Sequence, residues 1–218
     1  MRPARAGEIT GTVMLKGKAP AEKEIDMSSD PHCGAHATKA TTHHYVVGAN
    51  GELANAVIFL QGVEAKATGA SAPPAVLDQK GCEYTPTILA VQVGQKILVK
   101  NSDPTLHNVH ADPSPASGNK DFNQAQLAGT PDLNLSFSKP EMFLKVKCEV
   151  HPWMFAWVSV FDHPYFAVSA KDGTFKIANV PAGKYKIQIE HRKAGKEVKE
   201  IEVKEGEPTK VEFTLEAK

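Results

Sequence analysis

The chain has 218 residues, which is enough for one large domain or two ordinary domains with ample cores. Its 25 basic and 25 acidic residues balance, so no net charge favours binding to nucleic acid or to a membrane surface. No apolar run approaches the roughly 18 residues that span a bilayer. The opening residues MRPAR lead into polar sequence without the apolar stretch of a signal peptide. We therefore expect no membrane span, and either a cytoplasmic protein or a mature chain.

Short alternating segments bounded by Gly, Pro, Asn and Asp dominate the sequence, and helical periodicity is nearly absent. This pattern predicts an all-β chain. Loops are predicted at 63–74, which is rich in Ala, Gly and Ser, and at 111–129, which is long enough to be functional. The predicted strands before the C-terminal region are Glu8–Leu15, His44–Val47, Ala56–Leu60, Thr87–Val93, Lys96–Asn101, Leu133–Phe137, Met142–Cys148 and Trp157–Phe161.

Two of the three cysteines lie in turn-like sequence, Cys33 in SSDPHCGAH and Cys82 in LDQKGCEY. In an oxidising compartment these two residues would form a disulfide. Two alternatives stay open: a pair of free thiols, or a metal site that includes His32 or His36.

The third cysteine, Cys148, ends the alternating segment MFLKVKC, in which Leu144, Val146 and Cys148 share one face. The alternation delivers the thiol to the buried side at the end of a strand. An ordinary small core residue is the alternative interpretation.

The residues around Cys148 favour a metal ligand. The stretch CEVHPWM, at 148–154, supplies a cysteine, a histidine and a methionine at three-residue spacing, and LHNVH, at 106–110, supplies another histidine. A thiolate, two imidazoles and a distant thioether form the ligand set of blue-copper electron-transfer sites.

The region from about Ile88 to Phe161 resembles a cupredoxin. The strings VKNSDPTLHNVH and C-x-x-H-P-x-M are similar to the ligand segments of that family, and the loop is most similar to that of amicyanin. The resemblance implies a Greek-key β-sandwich with one type 1 copper, and Asn108 as a residue that braces the two ligand loops. This sequence departs from the pattern by an insertion at 111–141 and by Ala156, where many members have Gly. The implied copper ligands are His107, Cys148, His151 and Met154.

The aromatic part of the ligand loop has two interpretations. Pro152 and Trp153 can form an exposed apolar collar beside the edge of the His151 imidazole, where cupredoxins dock a transient redox partner. Core packing is the alternative for the tryptophan.

From about Pro164 the sequence reads as four short strands joined by DG, PAG, AG and EGEP turns. The string DGTFKIANVPAGKYKIQIEH resembles the motif of carboxypeptidase-regulatory-like domains, which are transthyretin-like β-sandwiches. The opening EITGTVMLKGKAP resembles the first strand of such a domain, so it is expected to pair with the C-terminal region. The predicted domains are 1–163, the copper domain with an N-terminal extension, and 164–218, the smaller β-sandwich.

The expected function is that of a one-electron copper carrier in the periplasm or another extracytoplasmic space. No nucleophile motif, paired-carboxylate signature or phosphate loop indicates an enzyme. A copper chaperone or sensor is one alternative, and a β-sandwich binding module without metal is another. A second metal bound by His163 and His191, or by His32 and His36, also stays open. The sequence does not indicate the redox partner or the oligomeric state.

Overall fold

The computed structural model describes residues 6–36 and 40–218. These residues form sixteen strands, a four-residue helix α1 (Pro31–Gly34) and a 3-10 turn, and the predicted all-β class is confirmed. No helix within the described residues is long and apolar enough to cross a membrane. The strands are β1 (Gly7–Lys16), β2 (Val57–Gln61), β3 (Ala75–Gln79), β4 (Tyr84–Thr85), β5 (Ile88–Gln92), β6 (Ile97–Asn101), β7 (His107–Asp112), β8 (Phe122–Gln126), β9 (Leu133–Leu135), β10 (Glu141–Lys147), β11 (Phe155–Phe161), β12 (Phe166–Val168), β13 (Thr174–Val180), β14 (Gly183–His191), β15 (Gly195–Val203) and β16 (Pro208–Glu216).

The chain divides into two compact units. Unit 1 combines the described residues up to Ala21 with His43–Ala65 and Tyr165–Lys218, and unit 2 combines Glu22–Thr42 with Lys66–Pro164. The division differs from the expected boundaries of 1–163 and 164–218, because two N-terminal segments belong with the C-terminal unit. β1 runs parallel to the whole of β16, and β2 pairs with β12 and β14. The apolar faces of β1 and β2 are therefore covered within unit 1.

Unit 1 consists of a three-stranded sheet, β13-β1-β16, and a four-stranded sheet, β12-β2-β14-β15. Alternate residues of both sheets enter one apolar core, as expected when two sheets pack face to face. The fully buried members of this core include Ile9, Val13, Ile58, Leu60, Ile177, Ile187, Ile189 and Phe213.

His191 ends β14 inside unit 1, where its side chain is buried. Burial lowers the pKa of this imidazole to about 4, and the neighbouring Arg192 charge acts in the same direction. Its Nδ1 atom accepts hydrogen bonds from the backbone N–H groups of Lys193 at 3.3 Å and Ala194 at 3.1 Å. The folded state therefore keeps this ring neutral.

We expect unit 1 to lose stability as the pH falls from 6.5 to about 4. In this window the unfolded chain binds a proton at His191 and the folded chain does not, so stability falls as the pH is lowered. The loss amounts to about 3 kcal/mol at the acidic end. Urea unfolding of the wild type and of His191→Gln at pH 7 and pH 4.5 measures it. An equal decrease in unfolding free energy from pH 7 to pH 4.5 in the two proteins would contradict the prediction.

Unit 2 is built from a five-stranded sheet, β5-β11-β10-β7-β8, and a four-stranded sheet, β4-β3-β6-β9. The two sheets share one apolar core, to which Leu77, Ile97, Val99, Val109, Leu144, Val146, Val158 and Val160 contribute. The strand β8 lies within the predicted loop 111–129, where the sequence FNQAQ shows no apolar alternation. It pairs antiparallel with β7, from His107↔Gln126 to Ala111↔Phe122. The predicted long loop is therefore largely a hairpin.

The pairing of β7 with β10 positions the two ligand stretches. These strands are antiparallel, with Lys147 opposite His110. β7 begins at His107 and β10 ends at Lys147, so both stretches lie at the same end of the sheet. Leu144, Val146 and Cys148 are buried as the alternation predicts.

Candidate metal centre

Three side chains converge at this end of the sheet. His107, Cys148 and His151 each place one donor atom within 4.8 Å of the others. The Nδ1 atoms of the two imidazoles are 3.0 Å apart, and the Cys148 Sγ atom lies 3.9 Å from His151 Nδ1. The three residues are 0%, 2% and 2% exposed, respectively. A buried group of two imidazoles and one thiol suits a thiophilic transition-metal ion.

The Cys148 thiol is surrounded by donors. The backbone N–H groups of Asn108 and His151 point at Sγ, at 3.3 and 3.4 Å. Burial alone would raise the pKa of this thiol, but the hydrogen bonds from His107 and from the backbone outweigh burial and lower it. The site therefore favours the thiolate, which is the form that binds metals.

Two aspartates orient the imidazoles. His107 Nε2 lies 2.9 Å from an Asp103 carboxylate oxygen, and His151 Nε2 lies 3.1 Å from an Asp30 carboxylate oxygen. With Nε2 committed to a carboxylate, each ring presents Nδ1 to the cluster. Metal-binding histidines commonly donate their second ring N–H to a carboxylate in this way. Although burial lowers the pKa of His107, Asp103 and Cys148 raise it to about 9.

Asp103 has further partners. Its carboxylate accepts hydrogen bonds from the backbone N–H groups of Gly81 at 2.7 Å and Cys82 at 2.8 Å. Burial alone would raise the pKa of this carboxyl, but these donors and His107 hold it below its ordinary value. Asp103 thus connects the turn before β4 to a ring of the cluster.

Asp30 and Cys33 form a cap over the outer nitrogen of the His151 ring. Asp30 precedes α1 and accepts hydrogen bonds from the N–H groups of His32 at 2.8 Å and Cys33 at 2.9 Å. Cys33 is joined to Cys82 by a disulfide, and its Sγ atom lies 3.9 Å from His151 Nε2. The cap explains why this imidazole is buried.

The aromatic collar differs from expectation in one respect. Pro152 is exposed, but Trp153 is half-buried, with its ring centroid 5.1 Å from that of His151. The indole N–H donates to the carbonyl oxygen of Cys82 at 3.1 Å. Because the cap covers His151, no imidazole edge faces solvent at the collar. A docking role for Pro152 and Trp153 stays a prediction.

Asn108 and Met154 hold the ligand loop. The Asn108 side chain donates to Asn123 Oδ1 at 2.8 Å and accepts from the N–H of Glu149 at 3.2 Å. Met154 is 1% exposed; its N–H donates to the carbonyl oxygen of His151, and its carbonyl oxygen accepts from the N–H of Cys148. Asn108 therefore connects β7 to the loop, and Met154 closes the loop on itself.

The remaining histidines lie elsewhere. His163 belongs to unit 2 and His191 to unit 1, and neither joins a group of three close metal-binding side chains among the described residues. His110 bonds to Glu149 through Nδ1, and its Nε2 atom lies 2.9 Å from an Asp121 carboxylate oxygen; with Asp112 and Asp121 it forms a separate candidate metal group. His32 and His36 lie beside the disulfide.

Sequence reasoning missed both orienting aspartates. Asp30 before Pro31 is a helix N-cap signal that was available, because Asp is favoured at N-cap and Pro at the first helical position. Asp103 stands four residues before His107, in a polar turn. Neither signal predicts a bond to an imidazole, and the Asp30 contact joins residues 121 positions apart.

Several solved structures are similar to this chain. A copper-containing nitrite reductase from Thermus scotoductus SA-01 matches 47% of this chain and 25% of its own, with 22% identity and a TM-score of 0.37. A variant of amicyanin matches 47% of this chain and 97% of its own, with 21% identity and a TM-score of 0.36. A purple cupredoxin from Nitrosopumilus maritimus matches 39% of this chain and 98% of its own, with 23% identity and a TM-score of 0.33. The matched region spans about a quarter of the nitrite reductase chain.

No protein-family model and no curated protein matches the sequence. At these values the similarity does not establish a shared function.

Proposed function

We propose that the protein binds one copper ion and carries single electrons. The residues that would hold the ion are His107, Cys148 and His151, with Met154 as a weak fourth donor. The observation that carries the proposal is the convergence of three buried donors within 4.8 Å. Copper held by such a donor set supplies one-electron chemistry, because nitrogen and soft sulfur donors accommodate both of its common oxidation states.

The surrounding residues fit this task. Asp30 and Asp103 each occupy the outer nitrogen of a ring, which leaves the two Nδ1 atoms directed at the cluster. The two backbone N–H groups at Cys148 stabilise a thiolate and fix its position. A ligand frame held this firmly needs little rearrangement when an electron arrives or leaves.

The same features favour a carrier over an enzyme. Burial of all three donors excludes water, and the outer nitrogens of both rings are already bonded. We propose a transient redox protein as partner, with Pro152 and Trp153 within its docking surface. The Cys33–Cys82 disulfide supports a periplasmic or other extracytoplasmic location, since such bonds persist in oxidising compartments. Unit 1 would be the carboxypeptidase-regulatory-like domain.

Spectroscopy of copper-reconstituted protein tests the proposal. The Cu(II) form should show an intense visible absorption from thiolate-to-copper charge transfer, with the matching EPR signal. Reversible one-electron cycling without loss of metal separates a carrier from a chaperone, whose cargo would be released. A colourless Cu(II) form would overturn the assignment.

Met154→Leu is expected to keep the blue colour and to raise the reduction potential. The substitution removes a weak thioether donor and keeps the apolar volume, and an axial donor tunes this kind of site without creating it. Voltammetry of both proteins measures the shift. Met142→Leu is the matched control, because Met142 lies six residues before Cys148, near the opposite end of β10. An unchanged potential in Met154→Leu would show that the methionine is not a ligand.

A further inference from the structure

The disulfide of the cap lies among imidazoles. His36 Nε2 is 3.9 Å from the Cys82 Sγ atom, and the ring centroids of His32 and His36 are 5.1 Å apart. A donor atom from each of His32, His36 and Cys82 lies within 4.8 Å of the others. Cys33 belongs to the same cluster, because its sulfur is bonded to that of Cys82.

One atom of this cluster lacks a partner. His32 Nε2 is buried and has no hydrogen-bond partner among the residues that the structure describes. Buried polar atoms are almost always paired, and a bound ion is one way to satisfy such an atom. A surface cleft lined by Met27, Cys33, Gly34 and His36 adjoins the cluster, while the two cysteines themselves are fully buried.

The backbones of both cysteines are held independently of the disulfide. Cys33 sits in α1, where its N–H donates to Asp30. The N–H of Cys82 donates to Asp103, and its carbonyl oxygen accepts from the Trp153 indole. Cleavage of the disulfide would therefore free two sulfur atoms without releasing the chain that carries them.

We propose that reduction of the disulfide creates a second metal site from His32, Cys33, His36 and Cys82. Two thiolates and two imidazoles form a donor set that binds thiophilic d10 ions, Zn(II) or Cu(I). In the oxidised state the sulfur atoms are not thiolates, so only the imidazoles can bind. The site thus acquires its metal affinity only in reducing conditions.

The redox step requires a dithiol as reductant. A dithiol transfers two electrons and two protons, breaks the Cys33 Sγ–Cys82 Sγ bond, and is itself oxidised to a disulfide. The two cysteines become thiols, and metal binding then releases their protons.

Cobalt(II) binding to Cys148→Ser tests this site. The sequence has three cysteines, so this variant keeps only Cys33 and Cys82 as sources of thiolate. The protein is reduced with a dithiol under anaerobic conditions, freed of reductant, and titrated with cobalt(II). One equivalent should produce a thiolate-to-cobalt charge-transfer absorption, which the unreduced protein should lack.

Histidine variants in the same background establish the full donor set. His32→Ala and His36→Ala should each weaken cobalt(II) binding at least tenfold. His110→Ala is the matched control: His110 forms a separate candidate metal group with Asp112 and Asp121 that contains no thiolate, so the charge-transfer absorption should be unchanged. Zinc(II) should displace the bound cobalt and remove the absorption.

Three results would overturn the proposal. They are the absence of charge transfer after reduction, an affinity that neither histidine variant changes, and loss of the far-UV circular dichroism spectrum on reduction. The last result counts because the site needs both backbones in place. Cys148→Ser lacks the thiolate of the proposed copper centre, so a failure here is distinct from a failure of the blue colour in the wild type.

Discussion

Cys148→Ser is expected to abolish the intense visible absorption of the copper-loaded protein and to leave its fold intact. The thiolate is the sole sulfur donor that can give a strong charge-transfer band, since the thioether of Met154 is a weak donor. A serine oxygen can still accept from the N–H groups of Asn108 and His151, which point at the sulfur in the wild type. Absorption spectra of the copper-loaded wild type and variant test the loss of the chromophore. Circular dichroism of the same two proteins tests whether the fold is intact.

The control for this experiment is His110→Ala. His110 lies three residues from His107, but it is not one of the three converging donors, and its ring bonds to Glu149 and Asp121. This variant should stay blue. A blue Cys148→Ser protein would show that another residue supplies the chromophore, and it would remove the main support for the copper assignment.

Asp103→Ala is expected to lower the stability of unit 2 by about 4 kcal/mol even without metal. The substitution leaves the N–H groups of Gly81 and Cys82 and the Nε2 atom of His107 without their acceptor. Each buried donor left unsatisfied costs about 1–3 kcal/mol; Cys82 and His107 are fully buried, whereas Gly81 is partly exposed. Loss of the carboxylate that orients His107 should also weaken copper binding by about 10- to 100-fold.

Urea unfolding of the metal-free proteins measures the stability change. Asp112→Ala is the matched control, because this aspartate is exposed and its carboxylate lies 3.4 Å from the Lys147 ammonium. Exposed ion pairs contribute at most about 1 kcal/mol, so this variant should be nearly neutral. Similar losses of unfolding free energy in both variants would show that the buried hydrogen bonds of Asp103 do not stabilise unit 2.

The local part of the site was predictable from sequence. Alternation in MFLKVKC predicts the buried face of β10 and the inward direction of Cys148, and the structure buries Leu144, Val146 and Cys148. The all-β class follows from the same period of two. Signals of this kind are contained in a few neighbouring residues, and strand geometry converts them directly into side-chain direction.

The long-range part was not predictable in the same way. The bond from Asp30 to His151 spans 121 positions, and no pattern near either residue indicates the other. Likewise, β2 reads as an ordinary strand, and its sequence does not say that it pairs with β12 and β14. The strand β8 lacks apolar alternation because it lies at the edge of its sheet and is mostly exposed. Tertiary pairing decides such elements, and local propensity does not.

The cap over His151 has a consequence for the proposed electron transfer. Asp30 and the disulfide stand over that imidazole, and all three converging donors are buried. Two copies that collide in solution cannot bring ring edge to ring edge, so self-exchange of electrons between them should be slow. If the site carries electrons as proposed, transfer to a partner would have to pass through the residues that cover His151.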